Sequence, residues 1–382
     1  MSNHVRSVAV ALLFASLAIV GRADGATVRV ISGDGPNEGF NDRTPVSPVG
    51  GNSGTTLGQQ RLIAFEYAAQ LWAKQVVSAV EIRISATFDP LACGAASTTL
   101  GVAGPVSVFR DFVGAPRANT FYPAALADSL AGTDLAPDED DIDATFNSVF
   151  GTTCPFPAGW YYGLDAQPPG EDSDFVTVVL HELGHGFGFL TLVDVDTGAR
   201  FENRDDVFMT LLLDRRTGVT FDAMTNAQRR AASEATGSVV WNGPMVTEGS
   251  GGLTDGVDPV GRVEIYAPPF AQAGSSLSHW SDAVAPLELM MPFFELPLHD
   301  VGLAAPALAD MGWRLAGTGT CVGDCDGDGM VAINELVGAV RIALGEAPAT
   351  SCAAADVNGD GAVSIDELVR AVSQALDGCA AG

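Results

Sequence analysis

The feature that most constrains the fold of this 382-residue chain is the string His181-Glu182-Leu183-Gly184-His185. Residues four apart on an α-helix share one face, so both imidazoles can reach a single ion when the string is helical. Zinc suits such ligands at about 2 Å, and Glu182 can take a proton from an activated water beside them. The string therefore predicts a metal-binding helix. We expect it to run from about residue 172 to residue 187, because three glycines near its C-terminal end forecast an early stop.

A catalytic zinc ion normally has three protein ligands, so two imidazoles leave one position to fill. The compact form of the motif would place the third ligand at Thr191, which is a poor zinc ligand. The other candidates are two histidines and three carboxylates: His279, His299, Asp194, Glu202 and Asp206. The polar residues after Asp194 make a poor helix, which disfavours Glu202 and Asp206. We expect His299, just before a helix predicted from Val301 to Met311, to cap backbone amides together with Asp300.

The run from His181 to Phe189, followed by Ser278-His279-Trp280 and Glu288-Leu289-Met290, resembles the leishmanolysin-like branch of the metzincin zinc peptidases. The resemblance extends from about residue 64 to residue 313. It implies a twisted mixed sheet with an active-site helix, zinc as cofactor, and hydrolysis of peptide bonds in protein or peptide substrates. It also implies the residue roles: His181, His185 and His279 as zinc ligands, Glu182 as general base, Gly188 at the turn, and Met290, or alternatively Met291, beneath the metal. Residues 186–278 are then a long insertion.

The C-terminal tail repeats itself at a period of 32 residues. Each copy has a twelve-residue loop with oxygen-bearing side chains at positions one, three and five, glycine at six and glutamate at twelve, which is the calcium-loop pattern of EF-hands. The first predicted calcium cage consists of Asp324, Asp326, Asp328, the Met330 carbonyl and Glu335. The second consists of Asp356, Asn358, Asp360, the Ala362 carbonyl and Glu367. Calcium is therefore the second expected cofactor.

Each loop is followed by a helical stretch, but the residues before it are rich in Gly, Pro, Ala and Thr. This loop-then-helix duplication resembles dockerin modules, and it implies a small all-α calcium module that could anchor to a cohesin-like partner. Glu335 and Glu367 depart from the aspartate that dockerins usually carry at position twelve. A calcium-clamped stabilising module is therefore the preferred interpretation of the tail.

The N-terminus has the pattern of a secretory signal peptide over residues 1–25, with Arg6 before an uncharged run. We therefore expect a secreted, extracellular protein with no membrane span in the mature chain. Six cysteines then favour disulfides, since these persist in oxidising compartments. We expect one bridge between Cys93 and Cys154 and two among the four tail cysteines.

The balance of 19 basic against 47 acidic residues gives a net charge of −28, which disfavours nucleic acid and anionic membranes as partners. Apolar periodicity predicts a helix over residues 59–77 and strands over 79–88 and 142–146. The expected architecture is an α+β zinc-peptidase domain over residues 26–314, a linker over 315–320 and the calcium module over 321–382. The main alternative is a calcium-dependent adhesion or anchoring protein with a non-catalytic zinc domain. Glu182 argues against it, because a structural zinc site needs no base and usually has four protein ligands.

Overall fold

The computed structural model describes residues 25–293, 296–316, 322–325, 331–357 and 361–377, so residues 1–24 of the expected signal peptide lie outside it. The described chain is a mixed α+β structure. Its α-helices are α1 Leu57–Ala73, α2 Ala124–Ala131, α3 Phe175–Phe187, α4 Asn226–Ser233, α5 Pro244–Gly249, α6 Ala304–Met311, α7 Ile333–Ala343 and α8 Ile365–Asp377. Its strands are β1 Val28–Ser32, β2 Val76–Val77, β3 Ile82–Asp89, β4 Gly101–Pro105, β5 Val108–Phe109, β6 Thr120–Pro123, β7 Ile142–Asn147, β8 Trp160–Tyr161, β9 Ser173–Asp174, β10 Asp205–Asp206, β11 Leu212–Asp214, β12 Val219–Thr220, β13 Val239–Trp241 and β14 Arg314–Leu315.

The N-terminal half of the chain forms a four-stranded mixed sheet with the strand order β1-β3-β7-β4. Strands β1, β3 and β7 are parallel, while β4 runs antiparallel to β7 and forms one edge. Alternate side chains of β3, among them Ile82 and Ile84, are buried. The strands predicted over 79–88 and 142–146 are thus confirmed as β3 and β7. The prediction succeeded because apolar residues at alternate positions mark the face of a strand that packs against the core.

Helices α1 and α3 pack against each other beside this sheet. Helix α1 begins earlier than expected because Thr56 and Gln59 form a reciprocal capping box. It ends at Ala73 rather than near residue 77, since β2 then pairs with β14. Trp72 donates its indole N–H to the Leu180 carbonyl at 2.8 Å, which fixes α1 to the middle of α3.

The 186–278 insertion folds back onto the body of the chain through aromatic contacts. Trp241 of β13 stacks on Phe189 at 6.0 Å between ring centroids and meets Trp280 edge-on at 5.9 Å. Phe189 and Trp280 also contact each other, at 4.8 Å. These buried rings bring the end of the insertion close to the end of α3, so the chain passes beside the string again at His279.

In the tail, the described parts of the two repeats share a small core of their own: Ala339, Ile342, Cys352, Ala355 and Val363. The predicted Cys93–Cys154 disulfide is present, and Cys325 pairs with Cys352 in the tail. The remaining cysteines, Cys321 and Cys379, lie outside the described residues. Within the described parts of the chain, no helix has the length and apolar character needed to cross a bilayer.

Candidate metal centre

Helix α3 carries the string and is defined at both ends by polar contacts. Asp174 caps its N-terminus by accepting a hydrogen bond from the Thr177 amide at 2.8 Å. The helix ends at Phe187, as the sequence predicts, because Gly188 follows with φ +122°, a backbone conformation that side chains disfavour. His181 and His185 therefore lie on one face, one turn apart.

The structure brings His279 to this face from 94 positions beyond His185. Its Nε2 atom lies 3.2 Å from the Nε2 atoms of His181 and His185, which are themselves 3.1 Å apart. Backbone hydrogen bonds hold the arriving segment, since the Tyr266 amide donates to the His279 carbonyl at 2.8 Å. The three imidazoles are buried, and among the described residues they form the one group of three or more His, Cys, Asp or Glu side chains close enough to hold a metal ion.

Each imidazole is oriented by a hydrogen bond from its other nitrogen. Every Nδ1 lies 2.8 Å from a backbone carbonyl oxygen: Leu289 for His181, Phe189 for His185 and Ser275 for His279. A carbonyl only accepts hydrogen bonds, so each Nδ1 carries the proton and each Nε2 presents a lone pair. Nitrogens about 2.1 Å from one tetrahedral ion lie about 3.4 Å from each other. The donor set and its spacing therefore fit a zinc ion.

Burial keeps these imidazoles neutral, as metal ligands must be. Loss of water lowers the pKa of His185 to about 4. Burial, with repulsion from His185, lowers the pKa of His279 to about 3. The same two effects, with His279 adding to the repulsion, hold the pKa of His181 well below its usual range. The site is thus ready to bind a cation at neutral pH.

Glu182 lies beside the cluster, against the edge strand of the sheet. Its carboxylate accepts a hydrogen bond from the Ala103 amide of β4, and burial raises its pKa to about 8. Gly101 of the same strand leaves room for it, because a Cβ there would come within 2.9 Å of the Glu182 Cγ atom. Strand β4 thus forms a wall beside the carboxylate. Sequence reasoning missed this strand, since Gly101–Pro105 shows no apolar alternation.

Met290 is buried directly beneath the helix. A Cβ built at Gly184 would lie 2.5 Å from the Met290 Sδ atom, so glycine at this position allows the methionine to approach the backbone between the two histidines. The Met290 carbonyl accepts a hydrogen bond from the Trp280 amide at 2.8 Å, which links it to the neighbour of His279. Of the two methionines considered from the sequence, Met290 is the one that contacts Gly184.

The rival candidates for the third ligand do not belong to the cluster of metal-binding side chains found among the described residues. Asp194 is exposed and accepts hydrogen bonds from the amides of residues 196 and 197. Glu202 is exposed, whereas Asp206 is buried and binds Thr191. Of the pair expected to cap backbone amides, Asp300 accepts a hydrogen bond from the Gly302 amide at 3.1 Å, whereas His299 contacts a distant carboxylate instead. Its Nε2 atom lies 2.9 Å from a carboxylate oxygen of Asp174, and the helix expected from Val301 begins only at Ala304.

In the tail, the glutamates at position twelve of the two loops make equivalent hydrogen bonds to backbone amides of their own loops. Glu335 accepts hydrogen bonds from the Cys325 and Ala332 amides at 2.6 and 2.8 Å. Glu367 accepts from the amides of the equivalent residues, 357 and 364, at 2.8 and 2.7 Å. In the second loop, Asp356 accepts a hydrogen bond from the Gly361 amide at 2.8 Å. Asp324 and both glutamates are buried.

Five other predicted calcium ligands lie outside the described residues: Asp326, Asp328, Met330, Asn358 and Asp360. Ala362, which would contribute a carbonyl to the second cage, lies within the described chain directly after Gly361.

Comparison with known proteins adds no assignment: no family model, no curated protein and no solved structure matches this chain. The chemistry of the site is therefore argued from its own residues.

Proposed function

We propose that the protein is a zinc-dependent metalloendopeptidase. The observation that carries the proposal is the convergence of three neutral, oriented imidazoles beside the carboxylate of Glu182. Bound zinc would polarise a substrate carbonyl and lower the pKa of a water molecule to about 7. His181, His185 and His279 would hold the ion, and three protein ligands leave a position open for water and substrate.

Glu182 supplies the acid–base chemistry in this proposal. The positive charge of a bound zinc ion would lower the pKa of Glu182 from about 8 and favour its carboxylate form. That carboxylate would take a proton from the attacking water and later deliver it to the amine nitrogen that leaves. The Ala103 amide fixes the carboxylate on the edge strand, so the transferred proton is held in one place. A carboxylate in this position has no use in a purely structural zinc site.

A peptide substrate fits the surroundings of this carboxylate. Strand β4 is an edge strand of its sheet, and an extended chain can add to such an edge by backbone hydrogen bonds. Gly101 of β4 touches Glu182, so a peptide lying along β4 would pass the carboxylate with one of its peptide bonds. This is the reason for proposing peptide bonds rather than another hydrolysable group.

The proposed tail function is calcium binding that stabilises the C-terminal module, and the proposed location is outside the cell. The buried carboxylates of both loops, which bind amides of their own loops, support the first. The two disulfides support the second, since they persist in oxidising compartments. Metal analysis of the purified protein would test the stoichiometry, with one zinc and two calcium ions per chain expected.

Digestion of casein tests the peptidase proposal. Wild-type protein should cleave it, and Glu182→Gln should lose that activity while keeping its zinc. His279→Ala should lose zinc, whereas His299→Ala should keep zinc and lower only stability, since His299 pairs with Asp174. A folded, zinc-loaded wild type that leaves casein intact would favour the adhesion or anchoring alternative.

A further inference from the structure

The two ends of the 186–278 insertion are joined directly by a hydrogen bond next to the metal centre. Thr191 lies three residues beyond the Gly188 turn, and its amide donates to the Ser278 hydroxyl oxygen at 3.2 Å. Ser278 is buried and immediately precedes His279. The backbone leaving α3 therefore contacts the side chain of the residue that precedes the third imidazole.

Asp206 holds Thr191 in place from the other side. One of its carboxylate oxygens accepts hydrogen bonds from the Thr191 hydroxyl at 2.9 Å and from the Leu192 amide at 2.8 Å. The other accepts the Met209 amide at 2.7 Å. Asp206 is buried and belongs to β10, which pairs with β6. The turn after α3 is thus tied to a strand rather than left as a free loop.

The position of His279 depends on contacts of this kind. Its side-chain orientation is set by the Ser275 carbonyl, but that acceptor lies on the same short segment and would move with it. The link from Thr191 to Ser278 instead relates the segment to α3, which carries the other two imidazoles. Metal sites need their ligands placed to within about 0.5 Å.

We propose that Asp206, Thr191 and Ser278 form a positioning chain that places His279 for zinc. This inference rests on the proposed zinc centre. None of the three residues touches the ion in this arrangement. Asp206 was a candidate ligand from the sequence, and the structure instead has its carboxylate bound to the segment that Ser278 contacts.

The test is the zinc affinity of the full chain, measured by competition with a chromophoric chelator. Ser278→Ala and Asp206→Asn should each weaken zinc binding by about 10- to 100-fold, the usual effect of losing a partner outside the ligand shell. Both changes interrupt the same series of hydrogen bonds. The double variant should therefore bind zinc about as weakly as whichever single variant has the lower zinc affinity. Ser278→Thr keeps the hydroxyl and should restore binding. The absorption spectrum of the cobalt-substituted protein should change in Ser278→Ala and return in Ser278→Thr.

Asp258→Asn is the matched control. Asp258 is another buried carboxylate of the insertion that accepts backbone amides, but its partners are Val260 and Arg262. This variant should melt at a lower temperature than wild type and keep wild-type zinc affinity. Melting of the metal-depleted variants separates loss of folding from loss of positioning.

The possible results are distinguishable. A wild-type protein that binds no zinc would overturn the proposed function itself. Wild-type affinity in folded Ser278→Ala would overturn the positioning chain alone. Equal losses of affinity in Asp258→Asn and Asp206→Asn would also overturn it, because general destabilisation would then explain both.

Discussion

Two buried carboxyl groups that are not part of the metal centre should make the stability of this protein depend on pH in an unusual direction. Asp128 of α2 and Asp141, just before β7, are both buried and hydrogen-bond to each other. Burial, with repulsion from Asp141 and Asp134, raises the pKa of Asp128 to about 7. Burial also raises the pKa of Asp141. The pair therefore shares a proton through the mildly acidic range.

The sign follows from comparing the folded and unfolded states. The ordinary pKa of Asp128 is 3.8, so above about pH 4 the unfolded chain releases a proton that the folded state retains. The stability from this proton is fully present below about pH 4 and is lost as the pH rises through about 7. Between pH 5 and the folded pKa there are about two units, at about 1.4 kcal/mol each, so the loss over this interval is about 3 kcal/mol.

Asp128→Asn should remove this fall in the free energy of unfolding as the pH rises. An amide has the same shape, can still accept the Leu135 amide and can donate to Asp141 without ionising. Chemical denaturation of wild type and variant at about pH 5 and about pH 8.5 measures the free energy of unfolding. The advantage of the variant over wild type should grow by about 3 kcal/mol between the two conditions.

Asp143→Asn is the control, since Asp143 lies in β7, two residues beyond Asp141, and is exposed. It changes the net charge equally and should give a difference that is independent of pH to within about 0.5 kcal/mol. The reasoning is refuted if the stability advantage of Asp128→Asn over wild type does not grow between the two pH values. It is also refuted if the advantage of Asp143→Asn grows as much.

Three further outcomes are expected. Arg229→Ala should lower the free energy of unfolding, measured by chemical denaturation, by about 3–5 kcal/mol. The reason is that the buried guanidinium of Arg229 donates four hydrogen bonds within the insertion. A loss below about 1 kcal/mol would contradict this. Gly184→Ala should cost about 1–3 kcal/mol by crowding Met290, and the same change should cost less in a Met290→Ala background if that contact is the cause. Glu335→Gln and Glu367→Gln should each shrink the rise in melting temperature that calcium produces, and an unchanged rise in both would exclude these loops as calcium sites.

Local sequence patterns predicted the elements that carry the string, because those patterns reflect contacts within a few residues. The alternation in β3 reports its buried face, and the Gly188 turn ends α3 where expected. The other two glycines of the helix serve a different purpose. Gly184 admits Met290, and Gly186 admits Ile142 of β7, since a Cβ at either would come within 2.5 Å of the neighbour.

Contacts between distant segments could not be predicted in the same way. The partner of His299 is Asp174, 125 positions earlier, whereas the sequence predicted that His299 would act with Asp300 as a cap of nearby backbone amides. The segment that carries His279 is held in part by Trp241, which packs against both Phe189 and Trp280, and no local pattern encodes which buried aromatic meets which. The resemblance to a known family suggested His279, but the path that brings it there comes from the packing.

The lone pairs of the three imidazoles point at one another across 3.1–3.2 Å, and burial removes the water that could separate them. The carbonyls that accept a hydrogen bond from each Nδ1 and the aromatic packing around Trp280 fix this geometry. A divalent ion would turn the mutual repulsion into three favourable contacts. Because two ligands come from α3 and one from beyond the insertion, its binding energy would stabilise the folding of the insertion as well as the site.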